Sequence, residues 1–442
     1  MWLLLFGILP GSLLAEGSKD FVNYPGYRMF LDTRDNQQLK VFAQEGETIN
    51  FGASHVGIQG GFIKVYRPDG TLDTIYDNTG STTGLAIIYN NVQELAGPTG
   101  GGTMMGNGYV PGTVTVGPGQ SGIWTLVFDY PSYVNAGFQN ILNNAPWTRA
   151  ADQPNSRRVV LAWDITVTSG GAGNMGGTPH EGRVYSNEHI SLINGNGVTT
   201  SPIFYVLTVD GYLYQVNILE ADPFRFPISS NSRGLVDGDR NAIYKSKDKS
   251  NFTRSADPSN WSPDSLYLYE PQAEDVGNLV NNKIFFNLPD TTMPTVAPVT
   301  DIFRMNPHET WLNNSLKIFQ LLDFQFTAAV SDSTPCEPGF LEFGQGGYFV
   351  FKTNIGGVAT IQIDINSNGA FTDSVDVTVS GEILPGLDSL FWDGNDGLGV
   401  PLPSGSSLNL PYQGSIRFGE LHIALTDVEN SPGGVTFQWL NA

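Results

Sequence analysis

The stretch best equipped for chemistry runs from Asp364 to Asp376. Asp364, Asn366 and Asn368 occupy alternate positions, Gly369 follows them directly, and Asp373 and Asp376 come next. Side-chain oxygens spaced this way, closed by a glycine that permits a sharp turn, can wrap a hard cation, and Ca2+ is the expected occupant. The glutamate usual at the twelfth position of such loops is replaced by Val375, which has no side-chain oxygen; Asp373 and Asp376 are the nearest substitutes. A second reading stays open, because Asn, Asp and Gly also build turns that hold no metal. The nearby run Trp392–Gly399 adds Asp393, Asn395 and Asp396. Asp393 and Asp396 either lend oxygens to the same cation or close a plain hairpin.

The elements that must position this loop are strands. Val358–Asp364 and Val375–Val379 alternate apolar and polar residues with period two, so the loop caps a β-hairpin and does not join two helices. The same pattern recurs in Leu39–Ala43, Gly61–Tyr66, Gly122–Phe128 and Val159–Val167, rich in the β-branched and aromatic residues that suit a pleated surface. Ile203–Val216 reads as two strands joined at Asp210-Gly211, and Arg67-Pro68-Asp69-Gly70 reads as a turn. The expected fold is all-β, with several β-sandwich domains of jelly-roll or Ig-like type in tandem. The boundaries expected are a signal-like segment at 1–15, a first sandwich at 16–170, a second β-rich domain at 183–326 and an Ig-like sandwich at 327–442. Ala96–Gly119 is expected to be a long exposed loop, 171–182 a linker, and Val296–Asp301 a further connection. The best helix candidates are Tyr133–Asn143 and Glu309–Leu322.

Composition narrows the function classes. The chain has 442 residues with a net charge of −21, from 22 basic and 43 acidic side chains. Such a surface repels phosphates and anionic lipid, so neither nucleic acid nor membrane insertion is expected. Gly at 52 and Pro at 27, against only 15% charged residues, fit a turn-rich β-protein. The single cysteine, Cys336, forms no intrachain disulfide framework and reads as a small structural residue. The apolar run Met1–Ala15 resembles the hydrophobic and cleavage regions of a secretory signal, without the positive leader, and is too short to span a bilayer. The mature chain is therefore expected to start near Glu16, outside the cell.

Catalytic signatures are weak. His55, His180, His189, His308 and His422 show no zinc-ligand spacing. No nucleophile elbow occurs, and Glu181, Glu188 and Glu220 read as surface acids better than as a glycosidase pair. Trp124, Trp163, Trp392 and Trp439 lie in strand patterns and are expected in cores. Trp147, Trp261 and Trp311 lie in polar surroundings where an exposed ring could stack on a sugar.

Several segments, in their order, carry a family resemblance. Glu16–Asp20 after an export signal, then Gly46–Gly52, resembles the mature start of large Bacteroidetes cell-surface proteins. Gly182–Tyr185, Phe204–Tyr214, the Asp364 loop, Trp392–Gly399 and Asp427–Gly434 are similar to the same group. These are the gliding-motility-associated and adhesin-like proteins exported by type IX secretion. The resemblance implies a non-enzymatic surface adhesin or stalk, the N-terminal part of a longer repetitive protein. Its implied partners are downstream repeat domains, the type IX export and surface machinery, and surface polysaccharide. The C-terminal sorting domain of such proteins has no counterpart here, and the final strand pattern runs to the last residues, so a longer natural protein is expected. The alternative is a glycan-binding module, or an accessory of a polysaccharide-degrading enzyme.

Overall fold

A computed structural model of the chain describes residues 16–23, 27–33, 38–54, 56, 61–77, 84–99, 108–129, 159–170, 177–187, 189–193, 199–222, 226–232, 280–302, 305–329, 346–403, 410–419, 421–425 and 428–441. The fold is all-β and built from several antiparallel sheets. The chain forms two compact units. The first holds 1–235, 248–314 and 422–442, and the second holds 236–247 and 315–421.

The first unit is organised on a nine-stranded sheet. Its longest strand, Gly122–Asp129, pairs on one side with Gln38–Ala43 and on the other with Phe62–Tyr66. Ile123, Trp124, Leu126 and Phe128 are all buried, so both faces of this strand are covered. That is why it reads as a nearly continuous apolar run and not as a clean alternation. The sheet continues through Val184–Ser186, Lys283–Phe285, Ile203–Leu207, Leu213–Leu219 and Gly434–Trp439. A five-stranded sheet is built on Trp163–Ser169 and Thr48–Ala53, and another runs from Val159–Val160 through Phe30–Asp32 to His422–Leu425.

These pairings cross the boundaries expected from chain order. Val184–Ser186 pairs with Gln38–Ala43 across the expected linker at 171–182. Within that stretch, Thr178–His180 extends the ladder of Trp163–Ser169. At the other boundary, Leu321–Ala328 pairs with Gly347–Thr353, so the second unit takes in residues from 315 onward. The reason is physical: a strand buries its apolar face only by joining a sheet, and partners distant in sequence were invisible to the local pattern.

Local signals were read more surely. Gly211 and Gly70 both adopt the positive φ that their turns demand, at 82° in each case. The Asp210-Gly211 turn joins Ile203–Leu207 to Leu213–Leu219 as expected. Elsewhere the expectations fail. Val296–Asp301 is a strand paired with Asn306–Trp311, not a connection. Glu309–Leu322 is not helical, because Glu309–Trp311 belongs to that hairpin. Beyond it, the Asn314 side-chain amide donates at 2.6 Å to the Val209 carbonyl, 105 residues away, a tertiary bond to a distant turn. Within Ala96–Gly119, Gly112–Thr115 is a strand and Tyr109 is fully buried. One short helix, Asn91–Ala96, was missed although its capping box is legible. Asn90 accepts from the Gln93 amide at 2.8 Å, and Gln93 accepts in return from the Tyr89 amide at 3.0 Å. The helix candidate Tyr133–Asn143, the signal-like segment, Cys336, Trp147 and Trp261 lie outside the described residues.

The second unit is a small sandwich. One sheet orders Leu321–Ala328, Gly347–Thr353 and Gly386–Trp392; the other orders Val377–Ile383, Gly357–Ile363 and Tyr412–Arg417. Phe349, Phe351, Leu390 and Trp392 from the first meet Ala359, Ile361, Ile363 and Ile383 from the second in one apolar core. The strict in–out alternation of Gly347–Thr353 supplies this inner face and leaves the other face to solvent.

Candidate cation loop and the buried ionic network

The hairpin of Gly357–Ile363 and Val377–Ile383 carries the Asp364 loop at its tip. All five expected residues meet there. Asp364 is fully buried and its two oxygens accept from the amides of Asn368, at 3.2 Å, and Gly369, at 2.8 Å. Asn366 accepts from the Asn368 amide at 3.1 Å, and Asn368 accepts from the Ala370 amide at 2.7 Å. Both asparagine amides donate to the same Asp373 oxygen, which holds the Asp373 carboxyl below the usual carboxylate range. Asp376 accepts from the amides of Ile365, at 3.0 Å, and Asp373, at 2.8 Å. Ser367 and Gly369 take positive φ, of 56° and 86°, to close this ring of side-chain turns.

This arrangement is a fit for a hard cation in donor type. Each carboxylate oxygen has two lone pairs, so Asp364, Asp373 and Asp376 keep acceptor capacity after their amide bonds are made. Among the described residues, however, no three His, Cys, Asp or Glu side chains are grouped to hold a metal. The second loop reaches the first through its backbone: the Gly397 amide donates to the Val375 carbonyl at 2.8 Å. Asp393 and Asp396 spend oxygens on amides of their own loop, at Asn395 and at Leu398 and Val400.

A second constellation lies in the first unit and was not read as one in the sequence. Arg183 has a side chain only 2% exposed. Its guanidinium binds both oxygens of Glu47, at 2.8 and 2.6 Å, and one of Asp290 at 2.7 Å. Burial pushes Asp290 up, and the bonds from Arg183 and Thr292 outweigh it, leaving its carboxyl low. Beside it, the buried Glu16 carboxylate accepts from the consecutive amides of Gly182, Arg183 and Val184. Burial pushes Glu16 up to about 8 against those amide bonds. Gly17 lies directly on the Trp163 carbonyl. The Ser18 hydroxyl accepts from the Trp163 amide at 2.8 Å and donates to Glu94 at 2.5 Å. Phe21 packs against Phe204 and Phe286. Thus Glu16–Phe21 is embedded in the framework.

Asp164 completes the buried set. It accepts from the Tyr109 hydroxyl at 2.8 Å and the Thr166 hydroxyl at 3.1 Å, and burial pushes its carboxyl up to about 7. The tryptophans divide: Trp124, Trp163 and Trp392 are in cores, but Trp439 is 46% exposed on the outermost strand of the nine-stranded sheet. Trp311, expected in polar surroundings, receives the Lys283 ammonium 4.3 Å from its ring centre. His189 is buried, His308 is exposed, and Glu220 sits in an exposed turn. Glu188 and His55 lie outside the described residues.

Comparison with known proteins adds little. No family model matches the chain, and no curated protein matches it. Among solved structures, a DUF4785 family protein from Legionella pneumophila aligns over 86% of this chain and 81% of its own, with 9% identity and a TM-score of 0.14. That score carries no argument about fold or function. Among the described residues, no helix is long and apolar enough to cross a membrane.

Proposed function

We propose that this chain is a non-enzymatic adhesin or stalk segment, exported to the cell surface, and the N-terminal part of a longer repetitive protein. The observation that supports a mechanical role is where the buried ionisable groups lie. Glu16 and Arg183 are buried and bonded to segments more than a hundred residues away, and buried Asp164 is bonded to Tyr109 across 55 residues. Antiparallel ladders on this scale resist shear because many backbone bonds must break together. The surface resemblance adds type IX export and gliding motility as the setting.

In this reading Ca2+ braces the hairpin tip at Asp364, Asn366, Asn368, Asp373 and Asp376. The ion would supply positive charge to the carboxylates of Asp364, Asp373 and Asp376. Removing it with chelator is expected to lower the melting temperature of the wild-type chain and to leave Asp364→Ala unchanged, since a ligand bound only to the folded state stabilises it. Identical wild-type melting curves in millimolar calcium and in chelator would eliminate the brace. The surface assignment is tested on intact cells of the source organism. An antibody against this chain should label them, and external protease should remove the label. Recovery of the chain only after lysis would refute it.

A further inference from the structure

The outward face of one sheet in the second unit carries exposed side chains among the described residues. On this face the register aligns Thr327, Tyr348 and Phe391 in one row, and Gln325, Val350 and Ser389 in the next. A third row places Asp323, Lys352 and Leu387 side by side. Tyr348 is 42% exposed and Phe391 53%, with ring centres 5.2 Å apart and planes tilted by 52°. The side chains of Gln325 and Ser389 are spent on no other described residue.

We propose that this face binds a neutral polysaccharide chain, stacked on Tyr348 and Phe391. The proposal extends the adhesive reading by naming its ligand class. The apolar C–H face of a pyranose ring lies against an aromatic ring, while its equatorial hydroxyls point sideways. Here the two rings lie side by side, and the amide and hydroxyls of Gln325, Ser389 and Thr327 lie within one row of them to meet those hydroxyls. The neighbouring strands are ~4.8 Å apart, close to the rise of one sugar along an extended chain.

Size and charge choose this occupant over others. Three strands about seven residues long give a face of roughly 10 by 23 Å, or on the order of 200 Å² in plan. A stable protein partner needs about 800 Å² a side, so the face suits a narrow linear ligand. The net charge of −21 disfavours an anionic polymer, and Asp323 stands opposite Lys352, so the face itself is balanced. A cross-strand aromatic pair also steadies a sheet, but that role does not require both rings to stay open to water.

The test is affinity electrophoresis of the full chain through gels containing hydroxyethyl cellulose, xylan or galactomannan, with polygalacturonate as the anionic comparison. At least one neutral polymer should retard the chain. Tyr348→Ala and Phe391→Ala should each weaken the apparent affinity about tenfold, the effect of losing one anchoring ring. Gln325→Ala, which removes no packing, should weaken it by a smaller factor. Trp439→Ala, an exposed ring of the other unit, should run like wild type. Free migration in all three neutral gels overturns the proposal, as does retention indifferent to Tyr348 and Phe391, or a preference for polygalacturonate. The surface assignment would survive each of those results, because labelling of intact cells tests it separately.

Discussion

Replacing Arg183 with methionine keeps a long side chain over Phe42 and removes the charge that holds Glu47 and Asp290. The two carboxylates are only 8% and 12% exposed, and they lose three guanidinium bonds of 2.6–2.8 Å between them. Breaking a buried ion pair from one side costs about 3–5 kcal/mol, because a charge is left without compensation. Set against a net stability of roughly 5–15 kcal/mol for a folded domain, that is a large share. Urea unfolding of the full chain, followed by tryptophan emission, reads it out, since Trp124 and Trp163 are both buried in the first unit. The midpoint of that unit should move to markedly lower urea. Adding Glu47→Gln and Asp290→Asn to Arg183→Met should recover part of the loss, because neutral amides need no counter-charge. A shift under about 1 kcal/mol for Arg183→Met alone is the behaviour of a surface pair and would refute this account.

Two further outcomes are expected. Asp164 has a folded carboxyl raised to about 7, so the folded state keeps a proton that the unfolded chain releases near pH 4. Its contribution is complete below that pH and is lost as pH rises through 7, so the first unit should melt lower at pH 8 than at pH 5. In Asp164→Asn that difference should shrink, and an unchanged slope would assign the pH dependence to other groups. Gly17→Ala places a methyl on the Trp163 carbonyl and should destabilise by about 1–3 kcal/mol through overpacking. A melting temperature equal to wild type would show that Glu16–Gly17 is not held against Trp163–Ser169.

What was legible in the sequence was local. Period-two alternation located Gly357–Ile363 and Val377–Ile383, a β-branched and aromatic run located Gly122–Asp129, and Asp-Gly pairs located the turns at Gly70 and Gly211. The hairpin tip was legible too, because all five of its expected oxygen ligands lie within 13 consecutive residues. The grouping of strands was not, because Val184–Ser186 gives no sign that it belongs beside Gln38–Ala43. Nor was the burial of Glu16, whose desolvation is offset by three amides over 160 residues away. Tyr348 and Phe391 were passed over, since exposure on one face of a sheet follows from register and not from residue type.

The route of the backbone through the two units bears on how the molecule comes together. Gly434–Trp439 zips onto Leu213–Leu219, and His422–Leu425 zips onto Phe226–Asn231, only after the intervening sandwich has been threaded. Loops of this length slow the search for partners. During synthesis, the second unit has all its strands available while the larger sheet still has an unclosed side. The order of the strands along the chain therefore lets the small sandwich close first and the large sheet last.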